Sequence, residues 1–141
     1  MGECIFCQIA ADELPSHRVY EAEDVIAFLD VNPLANGHTL VVPREHHERL
    51  QECPESTAIA LWSAVTELVP AIEAAVDADA TNIGINNGSA AGQEISHSHV
   101  HIVPRFEGDG GRPIHAVAGR RPDLDDDDLE AIGEAINQHL K

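Results

Sequence analysis

The sequence predicts an α+β domain: a five-stranded antiparallel sheet with one long helix packed on it and a second helix at the C-terminus. Three observations lead there. Five short apolar or β-branched segments are set apart by Pro, Gly and Asn punctuation. One long internal stretch carries apolar side chains at three- and four-residue steps, and a shorter stretch of the same period closes the chain. At 141 residues the chain fits a single domain, 1–141. Such a chain buries roughly two-thirds of its unfolded surface and needs no disulfide staples.

In order along the chain, Cys4 to Ala11 is a short apolar segment ended by Leu14-Pro15. His17 to Glu21, Val25 to Leu29 and His38 to Val42 are strand candidates, the third β-branched and stopped by Pro43. Asn36-Gly37 signals a turn within a connection longer than a tight hairpin. A helix is predicted from Ser56 to Asp77, with Ile59, Trp62, Val65, Val69, Ile72 and Val76 on one face and Pro70 kinking or dividing it. Thr81 to Asn86 reads as the fourth strand, Asn87 to Gly92 as a Gly-rich loop, and His97 to Val103 as the fifth strand, closed by Pro104. Leu129, Ile132, Ile136 and Leu140 mark the last helix; the acidic run Asp125 to Asp128 suits the positive end of its dipole better than it suits a metal site.

Lys plus Arg is 8 against 25 for Asp plus Glu, a formal charge of −17. Nucleic acid and anionic membranes are poor partners for such a chain, because binding them requires cationic side chains. There is neither a run of eighteen apolar residues nor a basic segment followed by a long apolar one, so a cytoplasmic protein is expected. The acidity is spread evenly and Lys141 is the single lysine. Two readings account for that: an ordinary acidic surface kept soluble by self-repulsion, or a halophilic cytosol whose salt screens the repulsion.

The chemistry-bearing stretch is His97-Ser98-His99-Val100-His101-Ile102-Val103. On a strand the three imidazoles point one way, with Ser98, Val100 and Ile102 opposite. Neutral imidazole is a nucleophile, an acid or base, or a metal ligand. By itself the row leaves nucleophile and metal site open, with a solvated surface row as the bland alternative.

The surrounding motifs resemble the histidine triad (HIT) superfamily, whose signature is His-φ-His-φ-His-φ-φ with φ apolar. Only Ser98 departs from it. CIFCQIAADELPS, VIAFLDVNPLANGHTLVVPREHH and NNGSAAGQEISHSHVHIVPR follow in family order, so the resemblance spans about Cys4 to Arg105. It implies a HIT-like fold and cleavage at the α-phosphorus of a purine nucleoside 5′-phosphate derivative through a nucleotidyl-imidazole intermediate. His99 would be the nucleophile and His101 the phosphate-binding donor, with His97, Asn86 and Gln93 at the same centre. Phe6, Ile9, Leu14 and Phe28 would hold the base, Asp30 with Val31 beside it the ribose, and His38 would be a further active-site histidine. Asp30 has a rival role capping the turn at Asn32-Pro33, and His38 a rival as a solvent-facing strand start. Glu94 stands where the phosphoramidase branch often carries Ser or Thr; it would repel the phosphate, point away or act as an acid.

Three cysteines in a reducing compartment argue against a disulfide framework. Cys4-x-x-Cys7 is either a redox pair without its βαβ surroundings or two soft metal ligands lacking two partners. The HIT resemblance supplies His46 and His97, giving a structural zinc set with His47 as competitor for His46, and implies no catalytic metal. Cys53 is left as an unpaired thiol. The resemblance also implies a homodimer. Arg105, Arg112, Arg120 and Arg121 follow the triad and would offset the negative field there. A dinucleoside polyphosphate hydrolase is the rival enzyme, and a non-catalytic nucleotide-binding protein the rival from another class.

Overall fold

β-Branched and aromatic residues between turn signals form five strands: β1 (Arg18–Glu21), β2 (Val25–Leu29), β3 (Thr39–Pro43), β4 (Ala80–Gly84) and β5 (Val100–Arg105). They make one antiparallel sheet in the order β1-β2-β3-β5-β4. Three helices accompany it: α1 (Ile5–Ala10), α2 (Glu55–Val76) and α3 (Asp126–Leu140). The predicted architecture is therefore present. This computed structural model describes residues 4–140, so the lone lysine, Lys141, and the first three residues of the stretch searched for a targeting signal lie outside the described residues. The chain forms two compact units that divide between Gly111 and Arg112.

In the first unit, period-two alternation puts two cores on the two faces of the sheet. Val25, Ala27, Val41, Val100 and Ile102 face α2 and pack with Leu61, Ala64, Val65, Leu68 and Ile72. Ile26, Phe28, Leu40 and Val42 face the other way and pack with Phe6 and Ile9 of α1. The central strands β2 and β3 are thus apolar on both sides, which is why they read as continuous apolar runs. Register holds the second face together: Phe28 is opposite Leu40, and Leu40 opposite His101. The site is built on that face.

Two expectations about α2 need correction. Its buried face is Thr57, Leu61, Ala64, Val65, Leu68 and Ile72, whereas Ile59 is 61 % and Trp62 38 % exposed. The helix carries apolar residues on more than one face, so periodicity alone selected a stripe turned from the one that meets the sheet. Nor does Pro70 divide it; α2 is continuous, and Pro70 lies on its exposed side. By length and composition α2 could cross a membrane, but its Leu61-to-Ile72 face is the core of this fold.

Strand boundaries also differ: β1 starts at Arg18 instead of His17, β3 runs Thr39–Pro43 instead of His38 to Val42, and β4 runs Ala80–Gly84 instead of Thr81 to Asn86. The ladder of β5 starts at Val100 instead of His97, and Pro104 lies inside it opposite Thr81 of β4. Between β2 and β3, Gly37 adopts φ +87°, and a Cβ there would come within 3.0 Å of Val76 and 3.2 Å of Pro104, so this turn demands glycine.

Six residues are too few for an autonomous helix, and α1 is held from outside. Cys4 Sγ accepts from the Cys7 N–H at its start, while Arg18 of β1 donates to the carbonyls of Ile9 and Ala10 at its end. In the second unit Asp125 and Asp128 exchange side-chain-to-backbone hydrogen bonds at the start of α3, the helix-start role expected of the acidic run. The stripe Leu129, Ile132, Ile136 and Leu140 is present and exposed.

Leu61 is fully buried at the centre of the α2-side core. Leu61→Ala is expected to cost about 2–5 kcal/mol of unfolding free energy, read from urea denaturation; a loss below 1 kcal/mol would mean that α2 does not carry this core.

Candidate active site

A pocket of about 580 Å³ opens on the α1 face of the sheet. Phe6 and Ile9 come from α1, Leu14 from the segment after it, and Phe28 from β2. The four apolar residues assigned to a base therefore line one cavity. Asp30, Val31 and His38 line it from the β2–β3 connection, and Asn86, Glu94, His99 and His101 from the opposite side. Two predicted site residues are absent from the lining: Gln93, and the side chain of His97. Leu40, Leu34 and Ile95 are lining residues that the sequence reading missed. Leu40 was available from alternation, since it sits two residues after His38 on the same face.

The imidazoles are wired by main-chain groups that cannot change their role. A carbonyl only accepts, so His99, whose Nδ1 is 2.7 Å from the His97 carbonyl, carries its proton on Nδ1 and turns the Nε2 lone pair outward. An amide N–H only donates, so His38 accepts from Leu34 N–H at Nδ1 (3.0 Å) and holds its own proton on Nε2. That proton is donated to Nδ1 of His101, 3.0 Å away, which leaves His101 with an N–H at Nε2. His38 is 2 % exposed, which overturns the solvent-facing alternative. The pocket thus places an unprotonated imidazole nitrogen beside an imidazole donor, with His99 and His101 ring centres 4.9 Å apart. Phe6 stands edge-on to His99 at 5.0 Å.

Burial lowers the pKa of His99, with the His97 hydrogen bond acting against it. Burial, and then the neighbouring His99 and His38, push His101 down to about 4. His38 is lowered by burial against the pull of Asp30. These rings are neutral at pH 7, the state that the hydrogen-bond chain requires. Asp30 plays its rival role with one oxygen, Oδ1 accepting from Asn32 N–H at 2.9 Å, while Oδ2 stands 3.7 Å from His38 Nε2. Glu94 is exposed at the rim. Arg105 is engaged by Asp109 and Asn82 and does not line the pocket.

Behind the pocket, Cys4, Cys7, His46 and His97 bring one donor atom each within 4.8 Å of one another. Cys4 Sγ is 3.3 Å and Cys7 Sγ 3.6 Å from His97 Nδ1, and Cys7 Sγ is 3.4 Å from His46 Nδ1. Sulfur and nitrogen ligands of a tetrahedral zinc are about 3.6 Å apart. The outer contact fits as well: His97 Nε2–H donates to the Pro43 carbonyl at 2.8 Å, leaving Nδ1 as the ligand nitrogen. Burial, with Cys4 beside it, pushes the Cys7 thiol up to about 11, so a cation would have to displace that proton. His47 points to Glu45 and is not in the set. A second trio, Asp30, His38 and His101, is equally close but wired differently. A metal on His38 Nε2 would require a proton on Nδ1, where the Leu34 N–H already points. Cys53 is a free, half-buried thiol.

Residues 11–108 match the HIT domain family. The chain belongs to that family. An adenylylsulfatase of Arabidopsis thaliana is 43 % identical over 108 residues, 77 % of this chain and 55 % of that protein. A HIT family protein of Bacillus subtilis superposes with a TM-score of 0.85 at 36 % identity, covering 99 % of this chain and 98 % of the other. A zinc-bound histidine triad protein of Mycobacterium smegmatis does so at 0.73 and 33 % identity, covering 97 % and 95 %. The five-stranded sheet, long helix and C-terminal helix are those of HIT-fold structures.

The lowered histidines set a pH dependence for this HIT protein. Between about pH 4 and the ordinary value of 6.5, the unfolded chain binds a proton at position 101 that the folded chain does not. Stability from this group is therefore full above about pH 6.5 and declines as pH falls toward 4. Urea unfolding between pH 4 and 7.5 should show that slope, and His101→Gln should reduce it, leaving the share of the other lowered histidines. An identical slope in the variant would assign the dependence elsewhere.

Proposed function

We propose that this HIT protein is a nucleotidyl hydrolase or transferase that cleaves at the α-phosphorus of a purine nucleoside 5′-phosphate derivative, such as a phosphoramidate. The observation that carries the reading is the His97 carbonyl on the Nδ1–H of His99, which leaves Nε2 as a free lone pair in a pocket with an apolar end and a polar end. Nε2 attacks phosphorus and a P–N bond forms. The bond to the leaving group breaks, and the electron pair departs with that group, which takes a proton from solvent; the water that attacks in the second step returns one to solvent. Nδ1–H stays on the His97 carbonyl, so the charge developing on the ring is met by a fixed dipole. His101 donates from Nε2 to the phosphoryl oxygens. Water then attacks phosphorus, the P–N bond breaks, and the nucleoside monophosphate leaves.

In this reading Phe6, Ile9, Leu14 and Phe28 sandwich the base, Asp30 Oδ2 receives a ribose hydroxyl beside Val31, and Asn86 supplies an amide at the phosphate. Glu94 at the rim faces the departing group. The Arabidopsis adenylylsulfatase supports hydrolysis within the family. Zinc on Cys4, Cys7, His46 and His97 would tie α1 to the histidine row, a role supported by the donor distances and by the zinc-bound mycobacterial relative. The working form is a homodimer in a cytoplasmic compartment, and a charge of −17 suits one of high ionic strength.

Mixing with adenosine 5′-phosphoramidate and recording intact mass and AMP release tests the chemistry. An adduct or turnover is expected, with His99→Ala abolishing the adduct and lowering turnover by at least about 10³-fold. His101→Ala should cost roughly 10²–10³-fold. Nucleotide binding without adduct or AMP would establish the binding-protein alternative. Turnover confined to dinucleoside polyphosphates would establish the rival hydrolase.

Elemental analysis should find one zinc per chain. Cys7→Ala should lose it and melt roughly 4 °C or more lower. Unchanged metal content would remove the zinc assignment.

A further inference from the structure

Gln93 was expected at the phosphate, yet its side chain is already spent. Oε1 accepts from the Gly88 N–H at 2.7 Å, and Nε2 donates to the carbonyls of Glu48 at 2.8 Å and Ile95 at 2.9 Å. An amide has two N–H donors, and both are committed to main-chain oxygens, so none remains for a phosphate. The Gln93 backbone closes the same loop, its N–H donating to the Gly88 carbonyl at 3.2 Å.

These bonds belong to a longer clasp. The segment after β3 meets the loop before β5 residue by residue. Ser98 N–H donates to the His47 carbonyl at 2.7 Å, and Leu50 N–H donates to Asn87 Oδ1 at 2.9 Å. Asn87 Nδ2 donates to Gln51 Oε1 at 2.9 Å. The Arg49 guanidinium lies on Gly88, where φ is +105° and a Cβ would come within 2.8 Å of it. Residues 47–51 are therefore a strap lying along one side of loop 87–93, while Gly92 of that loop and the flanking Asn86 and Glu94 line the pocket.

We propose that Gln93 is a positioning residue, whose amide clamps the loop to the strap so that its pocket side holds the shape that receives the α-phosphate. This rests on the nucleotide reading above. Two hydrogen bonds to main-chain carbonyls, on segments that are 45 and 2 residues away in sequence, make the loop's shape a tertiary property. Loop composition rich in Gly and Ala would otherwise leave it with many conformations to lose on binding. Asn87 belongs to the same clamp and has no place in the pocket lining.

The experiment compares the full-length parent with Gln93→Met and Asn87→Ala. Amide hydrogen exchange is followed without nucleotide, AMP affinity by calorimetry, and thermal unfolding alongside. In Gln93→Met the Gly88 and Leu50 amides should exchange at least tenfold faster while Val41 and Val100 are unchanged, and AMP should bind at least tenfold more weakly. Asn87→Ala should move the same loop amides and weaken AMP in the same direction, although its side chain never faces the ligand. Weakened AMP binding with unchanged exchange would make Gln93 a direct ligand and overturn the proposal. Faster exchange with unchanged AMP affinity would overturn it too, because the clamp would then not shape the anion site. A parent that binds no AMP would instead sink the nucleotide reading, an outcome separable from the clamp because the exchange arm needs no ligand.

Discussion

One hydrogen bond orders the candidate site of this protein: the main-chain carbonyl of His97 accepting from Nδ1–H of His99. An imidazole has two nitrogens and, near neutrality, one proton. Its usefulness as a nucleophile depends on where that proton is kept. A side-chain acceptor could titrate or rotate; a carbonyl does neither. The same device recurs at His97, which donates to the Pro43 carbonyl, and at His38, which accepts from the Leu34 N–H. Three main-chain groups thus fix three tautomers, and His101 takes its own from His38.

The position of that carbonyl explains the start of β5. Had the ladder begun at His97, as strand propensity implied, the carbonyl would face a ladder partner. Pairing of β3 with β5 starts at Val41 and Val100, so the His97 carbonyl precedes the ladder and is free to turn back onto its own His99 ring. Residues 97–99 are held instead by the Ser98 N–H on the His47 carbonyl and by Phe6 edge-on to both rings. His97 consequently serves two clusters, with its ring toward the cysteines and its carbonyl toward the His99 ring.

Much of this was legible in the sequence, for identifiable reasons. The five strands and the helices α2 and α3 have local causes, namely β-branched runs, Pro and Gly punctuation, and a 3.6-residue period, whereas α1, read only as a short apolar segment, is made a helix by its ties to Cys4 and Arg18. Alternation put His99 and His101 on the face opposite Val100 and Ile102, and the structure has them there. The Cys4, Cys7, His46 and His97 set came from the family resemblance, and the fold brings those four donors together. What could not be read depended on tertiary partners. Which stripe of α2 meets the sheet is decided by the sheet, because Ile59 and Trp62 are as apolar as Leu61 and Leu68. The Leu34 amide acts through a backbone turn whose side chains give no hint of it. Gln93 carries an amide that would suit a phosphate equally well, and its folded partners commit it: the Gly88 N–H and the carbonyls of Ile95 and, 45 residues away, Glu48.

The electrostatics of the pocket follow from the same economy. Among the described residues no Arg or Lys lines it, and its formal charges are the carboxylates of Asp30 and Glu94. In the proposed reaction an anion entering a chain of charge −17 would be met by neutral donors, the Asn86 amide and the His101 N–H, the latter set by the hydrogen bond from His38. Neutral preorganised dipoles keep their strength when salt is added, whereas the repulsion from the surrounding carboxylates is long-ranged and is screened over about 8 Å at physiological ionic strength and less above it. Salt thus removes the opposing part of the interaction and spares the favourable part. A site built on arginines would behave the opposite way. If the proposed function holds, the acidic surface and the uncharged His101–Asn86 end of the pocket are for that reason two halves of one arrangement, in which recognition would rest on geometry held by the backbone.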